Sequence, residues 1–378
     1  MKAVSFAIAA AAGLAVAMPL RAEITVGVVM GFTGPTAAIS IPYRNVLQIV
    51  PRTVGGEPAR FIILDDTSNP SEAVKHMRRL TSEEKVDVII GSTYNPACLA
   101  MSFVALETRT PMICIAPLEV AADKQPWFFY IPQRLSVMIG GIVGHMKANR
   151  VSSVGFIGFA DGWGDLTLAA IEQAGGAAGI KLVARERYQR NETSVTAQVL
   201  KIMAANPDAV FIGASGTPAA LPQATLVERG YKGRIYQTHG AVGKDFLRVG
   251  GKNVEGTVAP TGPLSVADQL PDSNPTKKIA LQFFKMYDAA YPDDARNSIA
   301  GYGYDAYLFL GAGAANALKK AKPGTPEFRA ALRESLENLR EVVGTHAVYT
   351  TSPSDHNGVD DRGRVMVTVQ GGGWKLLP

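Results

Sequence analysis

Residue types that do covalent or metal chemistry are present in this chain but are not arranged for it. Five histidines, His76, His145, His239, His346 and His356, show no metal-ligand spacing of the H-E-x-x-H kind. GASGT, residues 213–217, is not the G-x-S-x-G elbow of hydrolases, because the second glycine directly follows Ser215. GAGAAN at 311–316 begins like a dinucleotide loop but lies inside an apolar helical pattern with no strand before it. No enzyme, metal or cofactor is expected. What remains is binding chemistry. In GSTYNPA, residues 91–97, Thr93 and Asn95 offer donors with Tyr94 beside them, just before a helix expected to start at Pro96. Free N–H groups and the helix dipole favour an anion there. Asn95 can also cap that helix, and the two roles are compatible.

A second binding signal is MGFTGPTAAISIP, residues 30–42, where an apolar run breaks at two glycines and a proline and no charge follows. Loops facing water usually carry charge, so a neutral loop containing Phe32, Ile39 and Ser40 points to something other than bulk solvent. A charge there would be desolvated if the loop were covered.

The elements that must position these residues follow from hydropathy. Lys2, the apolar run from Ala3 to about Met18 and a small residue at Ala22 read as a secretory leader over residues 1–22, which makes the mature chain an exported, periplasmic one. Its loss removes Lys2 and Arg21 and lowers the formal net charge from +5 to +3. No run of lysine or arginine marks a nucleic-acid surface. About 350 mature residues exceed one ordinary core, so two domains are the default. Cys98 and Cys114 are even in number, which an exported chain can bridge. Two small buried hydrophobes are the equal alternative.

Apolar strands recur as ITVGVVM (24–30), RFIILDD (60–66), VDVIIG (86–91) and PMICIAP (111–117), with helical segments between them. Continuous apolar strands alternating with helices imply a parallel sheet covered on both faces. A second series carries SVGFIGF (153–159), KLVARER (181–187), DAVFIGA (208–214) and RIYQTHG (234–240). Residues 275–340 are mainly helical and should cover the first sheet, while THAVYT and RVMVTV in the tail should join the second. The expected architecture is α/β with two lobes, residues 23–131 plus 263–341 and residues 132–262 plus 342–378. Three crossings are expected near 118–132, 258–264 and 340–345. Such a hinge closes on a ligand, and open parallel sheets bind at the carboxyl ends of their strands.

The ordered series FTGP (32–35), ILDDTSNP (63–70), VDVIIGST (86–93), TPMICIAP (110–117), GWG (162–164), PDAVFIG (207–213) and YDA (304–306) resembles the type I periplasmic solute-binding proteins. It is most similar to the leucine/isoleucine/valine-binding branch that serves ABC importers. The resemblance implies a Venus-flytrap receptor, expected to be a monomer, that delivers a small molecule to inner-membrane permease subunits. It also implies roles for particular residues. Thr93, Tyr94 and Asn95 fall where the family holds a ligand carboxylate. At the next strand end the family's hydroxyl is missing, leaving main-chain groups around Leu118 and a Glu119 that solvent or a lysine would more simply satisfy. On the far lobe His239 stands where amino-acid binders carry an acid for the ligand ammonium. It either faces the cleft or bonds backbone at its strand end, and the missing acid favours the cleft. Trp163 falls where an aromatic residue packs on the ligand, its alternative being a cap on the lobe surface. Ile39 replaces a frequent aromatic, with Phe32 and Ser40 nearby. Ser215 and Thr217 replace a bulkier residue and leave room. Ile299 and Tyr302 close the near side, and Tyr304 and Asp305 are expected to stabilise the fold.

The expected ligand is a small carboxylate with a flat or branched apolar body and no α-ammonium, such as a benzoate-like, benzoylformate-like or phenylpropanoid acid. Branched-chain amino acids are the alternative, and a sensor module for a signalling partner is an alternative of another class.

Overall fold

Val26, Val28 and Val29 in the first strand are all fully buried, as a strand covered on both faces must be. The computed structural model describes residues 23–118 and 120–378. The expected leader at 1–22 and Glu119 lie outside the described residues. In chain order the first sheet is laid down by β1 (Ile24–Met30), α1 (Ala37–Ile49), β2 (Thr53–Val54), β3 (Glu57–Asp65), α2 (Pro70–Ser82), β4 (Val88–Gly91), α3 (Asn95–Thr108), β5 (Met112–Cys114) and β6 (Phe128–Tyr130). The strands pair in the order β2-β3-β1-β4-β5-β6, parallel except for β2.

The second series runs α4 (Leu135–Ala148), β7 (Ser153–Phe159), α5 (Gly162–Ala177), β8 (Lys181–Tyr188), α6 (Thr196–Ala204), β9 (Ala209–Gly213), α7 (Ala220–Glu228), β10 (Arg234–Gln237), α8 (Lys244–Gly250) and β11 (Val258–Thr261). After it come α9 (Lys277–Ala290), α10 (Ser298–Ala317), α11 (Pro326–Glu337), β12 (Val342–Val343), β13 (Val348–Tyr349), β14 (Val365–Gln370) and β15 (Gly373–Leu376). The second sheet has the order β15-β14-β11-β10-β9-β7-β8, with β14 and β15 antiparallel at one edge.

Local signals explain several boundaries. Asn69 caps α2 by accepting from the Ser71 N–H at 2.8 Å, Pro70 sits in the first turn, and Ala73, Met77 and Leu80 are buried one turn apart. α1 departs from expectation: the neutral stretch is a loop only to Thr36, and Ile39 and Ser40 ride on a helix that tolerates Pro42. Burial of Tyr43, Val46 and Leu47 on its inner face outweighs the proline. Helices α10 and α11 cover the first sheet, placing Phe309, Leu310, Phe328 and Leu332 against Val26, Val28 and Ile90.

Asp305, fully buried on α10, holds the returning chain to the first lobe. Its carboxylate accepts from the Thr345 N–H at 2.6 Å, the Thr345 hydroxyl at 2.8 Å, the His346 N–H at 3.0 Å and the Tyr349 hydroxyl at 3.0 Å. Burial pushes this carboxyl up to about 6 against the pull of those four donors. The segment THAVYT therefore does not join the second sheet, correcting the assignment of everything after residue 342 to the second lobe. β13 pairs with β12 as a separate ribbon, and Tyr349 packs edge-on against Phe309 in the first-lobe core. The third crossing falls at 360–364, where the chain leaves Val359 in the first core for β14, rather than near 340–345.

The crossings are tied together. The Gln133 amide donates to the Gly363 carbonyl at 2.7 Å and accepts from the Tyr302 hydroxyl at 2.8 Å. Gly262 passes so close that a Cβ would lie 2.0 Å from His346 Nδ1.

Replacing Asp305 by alanine leaves three residues' buried donors without an acceptor, so Asp305→Ala is expected to lower stability by about 3 kcal/mol or more. Asp305→Asn, which keeps an acceptor oxygen, should lose less. Urea unfolding of the three proteins measures this, and equal midpoints would remove Asp305 from its role.

Candidate functional site

Parallel register brings the carboxyl ends of strands together in each sheet. In the first sheet, Met30 of β1 lies beside Asp65 of β3, and Val29 beside Gly91 of β4. Only glycine fits at 91, with φ +136° and a Cβ position 1.8 Å from the Val29 carbonyl oxygen. The chain then turns through Ser92 and Thr93 into α3. Ser40 on α1 and Thr93 meet across this edge, their hydroxyls 2.7 Å apart and both buried.

Two helices present amino termini to this edge. Neither α1 nor α3 has a side-chain cap or an acidic residue in its first turn. No first-turn carboxylate therefore offsets either dipole, although in α1 the Ala37 and Ile39 N–H groups already donate to the Gly34 and Thr36 carbonyls. Asn95 does not cap α3, whose N-cap position is Tyr94; its amide donates instead to the Pro117 carbonyl at 3.1 Å. That bond holds the segment carrying Leu118, which is partly buried against the α3 core. Cys98 and Cys114 are bridged, with Cα atoms 6.1 Å apart, and link the first turn of α3 to the end of β5. Of the two readings open from sequence, the disulfide is the one formed.

The acids at this edge are already engaged. Asp65 accepts from the Phe32 N–H at 2.8 Å, the Thr33 hydroxyl at 2.7 Å and the Thr67 N–H at 2.9 Å. Burial raises its carboxyl, but these bonds outweigh it and hold the group below its ordinary value. Asp66 accepts from the Ser92 hydroxyl and the Ser68 N–H, each at 2.8 Å, and burial keeps its carboxyl above the usual range. Ser92 and the two aspartates shape the edge and were not singled out from sequence. The signal was the pair DD closing one strand just beyond the level of the glycine that ends another.

In the second sheet, Gly158 lies beside Gly213, and Ile212 beside Gln237. The turns beyond these ends meet: the Gly216 N–H donates to the Gly240 carbonyl at 2.8 Å, which places Ser215 next to the His239 turn. Thr217 is exposed on the short 3-10 turn beyond. Trp163 and His239 pack edge to face, with ring centroids 5.6 Å apart at 81°. Trp163 Nε1 and His239 Nδ1 are both buried with no hydrogen-bond partner among the described residues. Burial lowers the His239 imidazole to about 4 from its usual 6.5, so it is neutral at pH 7. The nearest acid in sequence, Asp161, caps α5 by accepting from the Trp163 and Gly164 N–H groups and pairs with Arg190 at 2.6 Å.

The other histidines have structural partners: His76 the Asp65 carbonyl, His145 the Tyr236 hydroxyl, His346 the Ser298 carbonyl, and His356 both the Phe128 carbonyl and Glu337. Among the described residues no group of three or more metal-ligating side chains is assembled.

The lobes touch at the lip. Lys244, five residues beyond His239, donates to the Ala295 carbonyl at 2.6 Å, three residues before α10. This sets the His239 end of the second sheet beside the α10 end that carries Ile299, a side chain 38% exposed like its counterpart Ile39 at 40%. Two expected site residues lie elsewhere. Phe32 is tucked into the first-lobe core under the Arg44 guanidinium, contributing its backbone to the loop. Tyr302 belongs to the hinge, stacked on His346 with centroids 3.9 Å apart and its hydroxyl on Gln133. Surface depressions of about 550 and 650 Å³ occur near the carboxyl end of α3 and on α2, but none of the expected ligand contacts lines either.

Residues 23–372 match the family described as periplasmic binding protein. A solved extracellular ligand-binding receptor from Rhodopseudomonas palustris HaA2 is 44% identical, with TM-score 0.87 over 94% of this chain and all of that one. The Leu/Ile/Val-binding protein homolog 3 of Brucella melitensis is 23% identical over 74% of this chain and 76% of its own. The fold also recurs, at 18% identity and TM-score 0.74, in a solute-binding protein of an ABC transporter from Rhodopseudomonas palustris BisB5 solved with 3,4-dihydroxybenzoic acid, covering 93% of this chain and 95% of that one. No helix among the described residues is long and apolar enough to cross a membrane.

The depressed imidazole has a consequence for stability. The unfolded chain binds the His239 proton near 6.5 and the folded chain only near 4, so this group withdraws stability as pH falls through that interval. Relative to His239→Gln, the native protein is expected to lose about 2 kcal/mol on going from about pH 7 to about pH 5. Urea titrations at both values check it; parallel losses would place His239 in solvent.

Proposed function

Because the chain belongs to the periplasmic binding protein family, whose members are solute-binding proteins, we propose that it captures a small organic carboxylate with an aromatic or branched apolar body and presents it to the permease of an ABC importer. The observation that carries this reading is the charge pattern of the two edges. On the first lobe two helix amino termini without a first-turn acid flank the Ser40 and Thr93 hydroxyls, which suits a carboxylate. On the second lobe a neutral histidine and a tryptophan stand where an ammonium would need a carboxylate, and Asp161 nearby is committed to Arg190 and to its own helix.

A branched-chain amino acid fits the first edge equally well but brings an ammonium that finds no counter-charge at the second. An uncompensated buried charge costs several kcal/mol, roughly 3–5 where one partner of a buried pair is removed. An aromatic or branched acid without the amine avoids that cost and lays its body against the indole. The BisB5 protein supports the reading as an example of this fold holding an aromatic acid. The exposed methyls of Ile39 and Ile299 give apolar walls to the lips.

A thermal-shift screen of aromatic acids, 2-oxo acids and amino acids tests it. At about 100 times its dissociation constant, a ligand that binds only the folded state adds roughly 2.7 kcal/mol, which is easily read as a rise in Tm. An aromatic or 2-oxo acid should stabilise and leucine should not. Strong stabilisation by leucine with none by any amine-free acid would overturn the proposal.

A further inference from the structure

We infer that Trp163 and His239 form a subsite for an uncharged oxygen substituent, hydroxyl or carbonyl, at the end of the ligand remote from its carboxylate. The inference rests on the proposed carboxylate reading and sharpens it. Buried polar atoms are almost always hydrogen-bonded, and an orphan needs an explanation. Here two orphans, the Trp163 Nε1 and the His239 Nδ1, belong to rings in mutual contact at the ends of β7 and β10.

Their neighbours do not account for them. Asp161 spends one carboxylate oxygen on the backbone N–H groups of Trp163 and Gly164 and the other on Arg190. The Thr238 hydroxyl donates to the Ala214 carbonyl at 2.5 Å and accepts from the Gly240 N–H at 3.2 Å. Neither group is therefore turned to the indole or the imidazole, and the two rings do not bond each other.

The donor inventory limits what can satisfy the pair. An indole N–H only donates, so the missing group must carry an acceptor. An ammonium has none and is excluded. A neutral imidazole presents at Nδ1 either a lone pair or a proton, according to its tautomer. A hydroxyl can accept from Trp163 and donate to the lone pair, while a carbonyl oxygen can accept from Trp163 and from the protonated nitrogen. An anionic oxygen is poorly placed here, because Arg190, the cation beside this turn, is already paired with Asp161, whereas the helix termini of the first lobe offer a better seat.

Sites built to bond a ligand oxygen reject the analogue that lacks it, since the protein's own buried groups are then stranded. Isothermal titration of the full mature chain with benzoate and 3-phenylpropanoate, their 3- and 4-hydroxy counterparts, 4-formylbenzoate and 4-(aminomethyl)benzoate tests this. For whichever scaffold binds, an oxygen-bearing acid should bind about tenfold or more tightly than the unsubstituted one, and the aminomethyl acid most weakly. Trp163→Phe, which keeps a ring but removes the donor, and His239→Leu should each shrink that ratio toward one. Equal affinity for substituted and unsubstituted acids in the native protein overturns the subsite and leaves the carboxylate reading standing. A ratio unchanged in both variants does the same. Failure of every acid to bind overturns both.

Discussion

The buried Asp305 carboxylate decides how the two sheets are connected. It sits on a helix that covers the first sheet and accepts four hydrogen bonds from the segment on its way back to the second. A buried carboxylate is tolerable only when its oxygens are saturated in this way. The return path is therefore fixed as far as Tyr349, and the chain is released toward β14 only beyond Val359. Around this knot Gln133 bridges the first crossing to the third, and His346 fills the space that Gly262 leaves on the second. The three passages are thus packed against one another, which confines relative motion of the lobes to a narrow set of backbone positions. Hinges of this kind turn about a few element-terminal residues while the lobes move as bodies.

From that hinge the two strand-end edges inherit their opposition. The first edge is rigid in its own right. The disulfide between α3 and β5, the Asn95 bond to Pro117 and the Asp66 bond to Ser92 hold the turn before α3 in one conformation. The first-turn N–H groups of that helix are thereby held without a flexible loop behind them, so an anion of the kind proposed would need little further ordering of the chain. The second edge is held by the Gly216–Gly240 bond and by Asp161, which fixes the first turn of α5 under Trp163.

Much of this frame was legible in the amino-acid order, because strands buried on both faces announce themselves as uninterrupted apolar runs. ITVGVVM and DAVFIGA could hardly be anything else. The misread elements share a physical cause: local preference is weak where a distant partner decides. THAVYT has the composition of a sheet strand, and only a carboxylate some forty residues earlier in the chain diverts it. AAISIP continues the neutral stretch that reads as loop, yet burial of Tyr43 and Leu47 makes it helix. Phe32 and Tyr302 are close to the cleft in sequence, but an aromatic ring beside a cleft can equally turn inward. Which way it turns depends on a partner, the core in one case and His346 in the other. Trp163 and His239 were the reverse. No local pattern joins them across 76 positions, yet the fold resemblance placed both at strand ends, and the structure sets them in contact.

The electrostatic asymmetry of the cleft follows from the same limitation on buried charge that governs the hinge. A clamp that closes removes water from whatever it holds, so each charge inside must meet a partner or be absent. Amino-acid receptors meet this with a counter-charge for each end of a zwitterion. Here the acids near the second edge are already paired: Asp161 with Arg190, Asp165 with Arg187 and Asp245 with Arg248. What remains unpaired at this edge is an imidazole kept neutral by burial and an indole N–H. A surface so arranged gains nothing from a cation and strands its own donor against a hydrocarbon. On the proposed reading such a surface discriminates mainly by what it refuses, and it favours a ligand whose far end can share both a proton and a lone pair.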